Sequence, residues 1–177
     1  MSQDQELSDD QRIEALYQAG YDIAQICKNG HIINTEANLQ PQHNQWYCSR
    51  CGAECIARCP ACKMFIRGEY LHNNHSLNLG FTRPKFCANC GDAYPWTKIA
   101  IQTAKELADE LDSLTDDEKA ILKQSIDGIV KDTPQTKIAA TRFAKLMVKG
   151  GKEAASIAKE VLVDVMSEVA KKTIFPS

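Results

Sequence analysis

CSRCGAECIARCPAC, residues 48–62, places two Cys-x2-Cys pairs on either side of a seven-residue link. Two thiolates so spaced in a tight turn converge on one ion about 2.3 Å from each sulfur, and the turn's N–H groups can donate to them. Gly52 lets the chain leave the first turn with φ > 0 at no steric cost. Each pair is half of a tetrahedral site, so the stretch raises the question of where two further halves lie.

They lie outward in both directions. Downstream, CANCG repeats the pattern with Cys87, Cys90 and Gly91; upstream, CKNGH offers Cys27 and His31, a turn with one residue more and an imidazole in place of the second thiolate. A lone Cys-x3-His is a weak pattern. Three complete pairs need a fourth, however, and parity makes Cys27 with His31 the missing half.

Pairing in chain order groups Cys27, His31, Cys48 and Cys51, with 16 residues between halves, and Cys59, Cys62, Cys87 and Cys90, with 24. Both read as zinc ribbons, the second with a long insertion. A cross-braced arrangement, with Cys27 and His31 joined to Cys59 and Cys62, ranks second because it closes longer loops. Thioredoxin-like redox pairs fit less well, since redox motifs do not come in threes at ribbon spacing. With all four positions filled by protein, each site reads as structural, and the expected cofactor is two Zn2+ ions. Cys55 is left as a structural thiol. His72 and His75, in HNNH, have ligand spacing but sit among Asn73, Asn74, Ser76 and Asn78, the composition of a loop tip.

All eight cysteines precede residue 91, and none occurs in the 87 residues that follow. Residues 1–11, MSQDQELSDDQ, lack a basic segment followed by an apolar one, so the expected compartment is the cytoplasm, where cysteines hold metal rather than disulfides. A hydrophobic content of 44% with a net charge of −2 describes a globular chain. The most apolar segment, residues 154–170, is interrupted by Lys159, Glu160, Asp164 and Glu168 and is no membrane span.

Around the turns, YDIAQIC, HIINTEA, QWYC, MFIRGEYLH and GFTRPKFC have the β-branched and aromatic content of short strands. After YPWT the composition changes to helix formers. One helix covers TKIAIQTAKELADELD, with Ile99, Ile101, Ala104, Leu107, Ala108 and Leu111 to one side. A second follows the capping box Thr115 with Glu118, a third begins with Pro134 at its first position and stops at Gly150 and Gly151, and a fourth runs from about Lys152 to Lys172 with a stripe of Ala154, Ala158, Val161, Val165 and Val169. A further short helix starts near Ser8, where Ser8 and Gln11 form another capping box, and covers Ile13, Leu16 and Tyr17. The predicted fold is small and α+β: an N-terminal extension (1–20), a double zinc ribbon of short antiparallel strands (21–96), and an all-α four-helix bundle or array (97–174).

YDIAQICKNGHIIN, WYCSRCG, CPAC followed by IRGEY, and FCANCGDAYPWT leading into a helical tail with DTPQT and AATRF, in that order, resemble a bacterial family of small double-zinc-ribbon proteins known as a domain of unknown function. The resemblance spans residues 21 to about 172 and includes non-ligand residues such as YPWT. It implies that the eight residues grouped above are shared ligand positions. Residues 1–20 and Cys55 depart from it, and it carries no activity.

No phosphate loop, HExxH or Gly-x-Ser-x-Gly motif is present, so an enzyme is not expected. Residues 21–96 hold seven basic and five acidic side chains, and with seven thiolates and two divalent ions the region is close to neutral, a poor footprint for phosphate. The expected role is a non-enzymatic adaptor or scaffold that binds a protein partner, or a second copy of itself, through the helical region. The alternative is RNA or DNA binding by the basic third helix, where Arg142, Lys145 and Lys149 share a sector, together with Trp46, Tyr47 or Phe81. That basic face equally suits the acid-rich stretch from Glu106 to Glu118.

Overall fold

The run Tyr21–Cys27 is extended throughout yet does not stay in one sheet. The computed structural model describes residues 8–72, 75, 76 and 80–175, and in it β1 (Tyr21–Ile23) and β2 (Gln25–Cys27) are separate strands on either side of Ala24. The other strands are β3 (Ile32–Asn34), β4 (Cys55–Ile56), β5 (Arg67–His72) and β6 (His75–Ser76). One antiparallel sheet has the order β1-β5-β6 and the other β3-β2-β4. The hinge is Ala24, whose N–H donates to the Ile66 carbonyl at 2.9 Å. A single seven-residue stretch thus belongs to both sheets, where the sequence predicts one continuous strand.

This continuity lets two small sheets share apolar cover. Ala24, Ile26, Cys59, Ile66, Cys87, Tyr94 and Trp96 form one buried cluster, with Ile56, Cys62 and Phe81 packed on it. A second cluster joins Leu16, Ile23, Ala37 and Phe65. Leu16 comes from α1 (Asp9–Gln18), capped as expected by Ser8, whose hydroxyl accepts from Gln11 N–H while Gln11 Oε1 accepts from Ser8 N–H. Asp9 is paired with Arg58 at 2.6 Å, and the Arg58 guanidinium lies 4.0 Å over the Phe65 ring. Of the other predicted strands, QWYC and GFTRPKFC contribute only one-residue bridges, at Tyr47 and Phe86.

Residues 1–96 form one compact unit and residues 97–177 another. The second is helical: α2 (Pro95–Asp109), which begins just inside the first unit, then α3 (Asp116–Val130), α4 (Thr136–Gly150), α5 (Lys152–Leu162) and α6 (Glu168–Ile174). α3 starts at the predicted capping box, Thr115 with Glu118. α4 packs on α3, α5 and α6, burying Ala140, Phe143 and Met147 with Leu122, Ile126, Ile129, Leu162, Met166 and Ala170.

Three predictions are corrected here. Pro134 lies in a turn two residues before α4, because Thr136 Oγ1 donates to the Lys131 carbonyl and accepts from Thr133 N–H, closing a local loop before the helix can begin. The long fourth helix is two. Val163, Val165 and Val161 are β-branched and weak in helices, and Ser167 caps a new helix, its hydroxyl accepting from Ala170 N–H and its own N–H donating to the Ile129 carbonyl at 2.8 Å. The buried line therefore passes from Ala154 and Ala158 to Leu162, Val165, Met166 and Ala170, leaving Val169 exposed. Finally, Ile99 on α2 is 47% exposed rather than inward.

Gly68, the second residue of β5, is fixed by close backbone approach. A Cβ there would lie 2.2 Å from the Thr35 carbonyl oxygen and 2.7 Å from Ile23 C, neither of which can swing aside. Gly68→Ala is expected to force β1 from β5 and cost the first unit about 3 kcal/mol, read as a lower urea midpoint with the far-ultraviolet helical signal retained.

Candidate metal centres

Three of the four half-sites share one backbone device. Cys48 N–H donates to the Ala53 carbonyl and Gly52 N–H to that of Cys48, both at 2.8 Å. The same offsets recur from Cys59 (to Met64, and from Lys63) and from Cys87 (to Asp92, and from Gly91). Bridges Tyr47 with Glu54, Arg58 with Phe65 and Phe86 with Ala93 brace each turn from outside. The fourth residue past the leading cysteine has positive φ in all three: 72° at Gly52, 74° at Gly91 and 61° at Lys63. Lys63 is the one that carries a side chain there.

The Cys27 turn differs in an informative way. Its ligands are spaced one residue wider, but its backbone closes one residue sooner, with Cys27 N–H donating to the His31 carbonyl at 2.9 Å and Gly30 N–H to that of Cys27 at 2.7 Å. The imidazole makes up the reach. Its Nδ1 lies 3.5 Å from Cys27 Sγ, 3.5 Å from Cys48 Sγ and 3.3 Å from Cys51 Sγ. Gly30 is obligatory here: its φ is 89°, and an added Cβ would meet the Arg83 guanidinium at 2.1 Å. Arg83 Nη1 donates to the Gly30 carbonyl, while the ring of Trp96, which donates to the Pro84 carbonyl at 2.8 Å, stacks on Tyr94.

The result is two clusters in chain-order grouping. The donor atoms of Cys27, His31, Cys48 and Cys51, and those of Cys59, Cys62, Cys87 and Cys90, each lie within 4.8 Å of one another. Sulfur separations are 3.8 Å for Cys27–Cys51, 3.8 Å for Cys59–Cys90 and 3.7 Å for Cys62–Cys87. A tetrahedral ion with sulfur arms of about 2.3 Å has edges of about 3.8 Å, and a nitrogen arm of about 2.05 Å shortens its edges to about 3.5 Å. The donor sets fit such an ion in both number and spacing. The same distances rule out disulfides, and all eight cysteines are free.

Each cluster has a surrounding set of donors that sequence reasoning missed. Asn29 Nδ2 lies 3.5 Å from Cys51 Sγ, and Asn89 Nδ2 lies 3.6 Å from Cys62 Sγ. Both asparagines sit two residues after the leading cysteine of their turn and reach across to the trailing cysteine of the opposite turn. That repeated position was the available signal. Tyr94, fully buried, shares a hydrogen bond with Cys87, and burial followed by the Cys87 charge drives its hydroxyl pKa up.

The thiols do not share these donors evenly. Ala53 N–H, aided by His31 and neighbouring groups against partial burial, holds Cys51 down to about 6. Burial acts upward on Cys62, but Met64 N–H, Asn89 and the facing thiols outweigh it and bring Cys62 to about 7. Burial pushes Cys27 and Cys59 up. Asp92 N–H draws Cys90 down, yet burial and the three facing thiols prevail and push it up to about 12. Each cluster therefore accommodates one thiolate readily, at Cys51 or Cys62, and resists ionisation at Cys27 in the first and at Cys59 and Cys90 in the second until a cation arrives.

The remaining candidates are dispersed. Cys55 faces the Ala53 carbonyl at 3.9 Å and is outside both clusters, its pKa raised to about 11 by burial and the nearby thiols. His72 is exposed and pairs across the hairpin with His75, whose side chain lies outside the described residues. Trp46 is 88% exposed and Tyr47 67% exposed, whereas Phe81 packs half-buried on the core. Arg142, Lys145 and Lys149 are all exposed on α4, but Lys149 Nζ donates to both carboxylate oxygens of Glu118 at 2.7 Å. Lys123 pairs with Asp109 at 2.5 Å, so the acid-rich stretch draws on lysines of α3 as well as α4.

Lys63 gives a direct test of the turn geometry. A non-glycine residue at this φ costs about 1 kcal/mol, so Lys63→Gly is expected to raise the thermal midpoint of the first unit and slow metal loss to a chelator by a few-fold.

No curated protein and no solved structure matches the chain. No helix among the described residues is long and apolar enough to cross a membrane. A family model described as "Uncharacterized protein conserved in bacteria (DUF2321)" matches residues 20–174, from the residue before β1 to the last residue of α6, and so takes in both clusters but not α1. The chain belongs to that bacterial family.

Proposed function

We propose that the protein is a non-enzymatic, cytoplasmic adaptor or scaffold whose first unit is held by two structural Zn2+ ions. The observation that carries this reading is closure: each cluster supplies four protein donors at tetrahedral spacing, leaving no corner for water or substrate. The donor chemistry, seven thiols and one imidazole, suits zinc among the common divalent ions and requires a reducing compartment. Cys27, His31, Cys48 and Cys51 hold one ion, and Cys59, Cys62, Cys87 and Cys90 the other. Their role is stability, since strands of two to six residues cannot close a sufficient core alone.

A partner protein would meet rigid, ready-made features. Trp46 and Tyr47, adjacent and exposed on the brace of the Cys48 turn, are the side chains best suited to anchor an interface. In the helical unit Ile138 and Val148 stand out on α4, at 57% and 83% exposure, as a surface for a second copy or a partner. Nucleic acid is the second reading. A groove of about 480 Å³ lined by Trp46, Lys28, Arg58 and Lys63 favours it, while engagement of Lys149 by Glu118 and of Lys28 by Glu54 weighs against it.

The purified chain is expected to contain two zinc ions, and His31→Ala about one, by plasma emission spectroscopy. An open site that binds an inhibitor anion, or a wild type with one ion, overturns the reading. For the partner surface, Trp46→Ala with Tyr47→Ala is expected to weaken capture of a partner from bacterial lysate by at least about ten-fold without changing zinc content. Salt-sensitive binding to mixed oligonucleotides, lost in the same double variant, would instead select the nucleic-acid reading.

A further inference from the structure

Two independent needs place asparagine before glycine at residues 29 and 30. Gly30 is required by its φ of 89° and by the Arg83 guanidinium against its Cα, and Asn29 supplies the amide that reaches Cys51 Sγ at 3.5 Å. Asn29 is the one asparagine in the chain that precedes a glycine. In this dipeptide the following residue has no side chain to shield its backbone nitrogen, so cyclisation of the asparagine is at its easiest.

The folded turn restrains that reaction. Gly30 N–H is engaged with the Cys27 carbonyl at 2.7 Å, the Gly30 carbonyl with Arg83, and the Asn29 amide is turned toward Cys51. All three restraints belong to the turn that carries Cys27 and His31, two of the four donors of the first cluster.

We propose that Asn29 is a metal-gated deamidation site, protected while the first cluster is loaded and reactive once its ion is lost. The inference rests on the reading of that cluster as a zinc site. In the step, the Gly30 nitrogen loses its proton and bonds to Asn29 Cγ, the Cγ–Nδ2 bond breaks, and ammonia leaves with that proton. One water then opens the five-membered imide to aspartate or isoaspartate. No electrons are exchanged. The product replaces an amide donor beside Cys51 with a carboxylate, so reloading is impaired: loss of the ion becomes an irreversible mark on the chain. The second cluster lacks this device, because Asn89, in the equivalent position, is followed by Cys90.

The test incubates the full chain under reducing conditions with zinc or with a chelator and follows residues 28–50 and 86–98 by peptide mass spectrometry and isoaspartate detection, counting bound zinc in the same samples. Conversion at Asn29 is expected at least about ten-fold faster in the chelated chain, with Asn89 unchanged over the same period. His31→Ala, in zinc, is expected to convert at the chelated rate although the second cluster stays loaded. Asn29→Asp, the product made genetically, is expected to lose about ten-fold or more in affinity at the first cluster only. Equal rates with and without zinc in a chain that binds two ions overturn the inference and leave the zinc reading standing; a first cluster that never binds zinc overturns both.

Discussion

Thiolates brought within hydrogen-bonding distance of one another repel, and in this protein that repulsion is built into the fold. Four donors converge at each cluster, and the turns behind them supply N–H groups enough to ease one thiol in each toward ionisation while Cys27, Cys59 and Cys90 are pushed the other way. A cation reverses the sign of this interaction. The same closeness that disfavours bare thiolates, three at the first cluster and four at the second, would then become an attraction worth on the order of 10 kcal/mol per site, which is the scale of stability a unit of this size otherwise lacks. The short strands, one-residue bridges and 3-10 turn of residues 41–43 would suffice once an ion joined the chain at four points in each cluster.

The two clusters are also tied through protein. Arg83 leaves the chain just before the Cys87 turn, donates to the Gly30 carbonyl of the Cys27 turn and faces the Trp96 ring at 6.0 Å. Trp96 in turn stacks on Tyr94, which is hydrogen-bonded to Cys87. The segment YPWT is thereby explained as the connection from one cluster's ligand to the other cluster's backbone, with Trp96 and Thr97 both buried.

Ligand spacing made the candidate centres legible in the sequence, because the geometry of a Cys-x2-Cys turn is local and a count of half-sites is global. Capping boxes did the same for α1 and α3: Ser8 with Gln11 and Thr115 with Glu118 state a helix start within four residues. What escaped was set by contacts distant in the chain. Ala24 divides a strand because Ile66, far along the sequence, claims its N–H; Ser167 starts a helix because the end of α3 claims its own. Asn29 and Asn89 matter through the cysteine opposite, not through any neighbour. Pro134 misled because its fixed φ suits a helix start, while Thr136 had already drawn Lys131 and Thr133 into a turn.

The split strand at Ala24 acts as a ruler. Tyr21 is registered against Tyr70 in one sheet and Cys27 against Cys55 in the other, the register shifts by a residue against β5 between Tyr21 and Ile23 and against β3 between Gln25 and Ile26, and Ala24 is held between them by Ile66. Length cannot be added or removed between Tyr21 and His31 without either turning a strand's inward side chains outward or drawing a ligand away from its cluster. The stretch after β3 reads off the same ruler, since Ala37 N–H donates to the Ile23 carbonyl and Asn38 and Leu39 N–H donate to the Asp22 carboxylate, so a change of length in β1 would displace residues 37–39 as well.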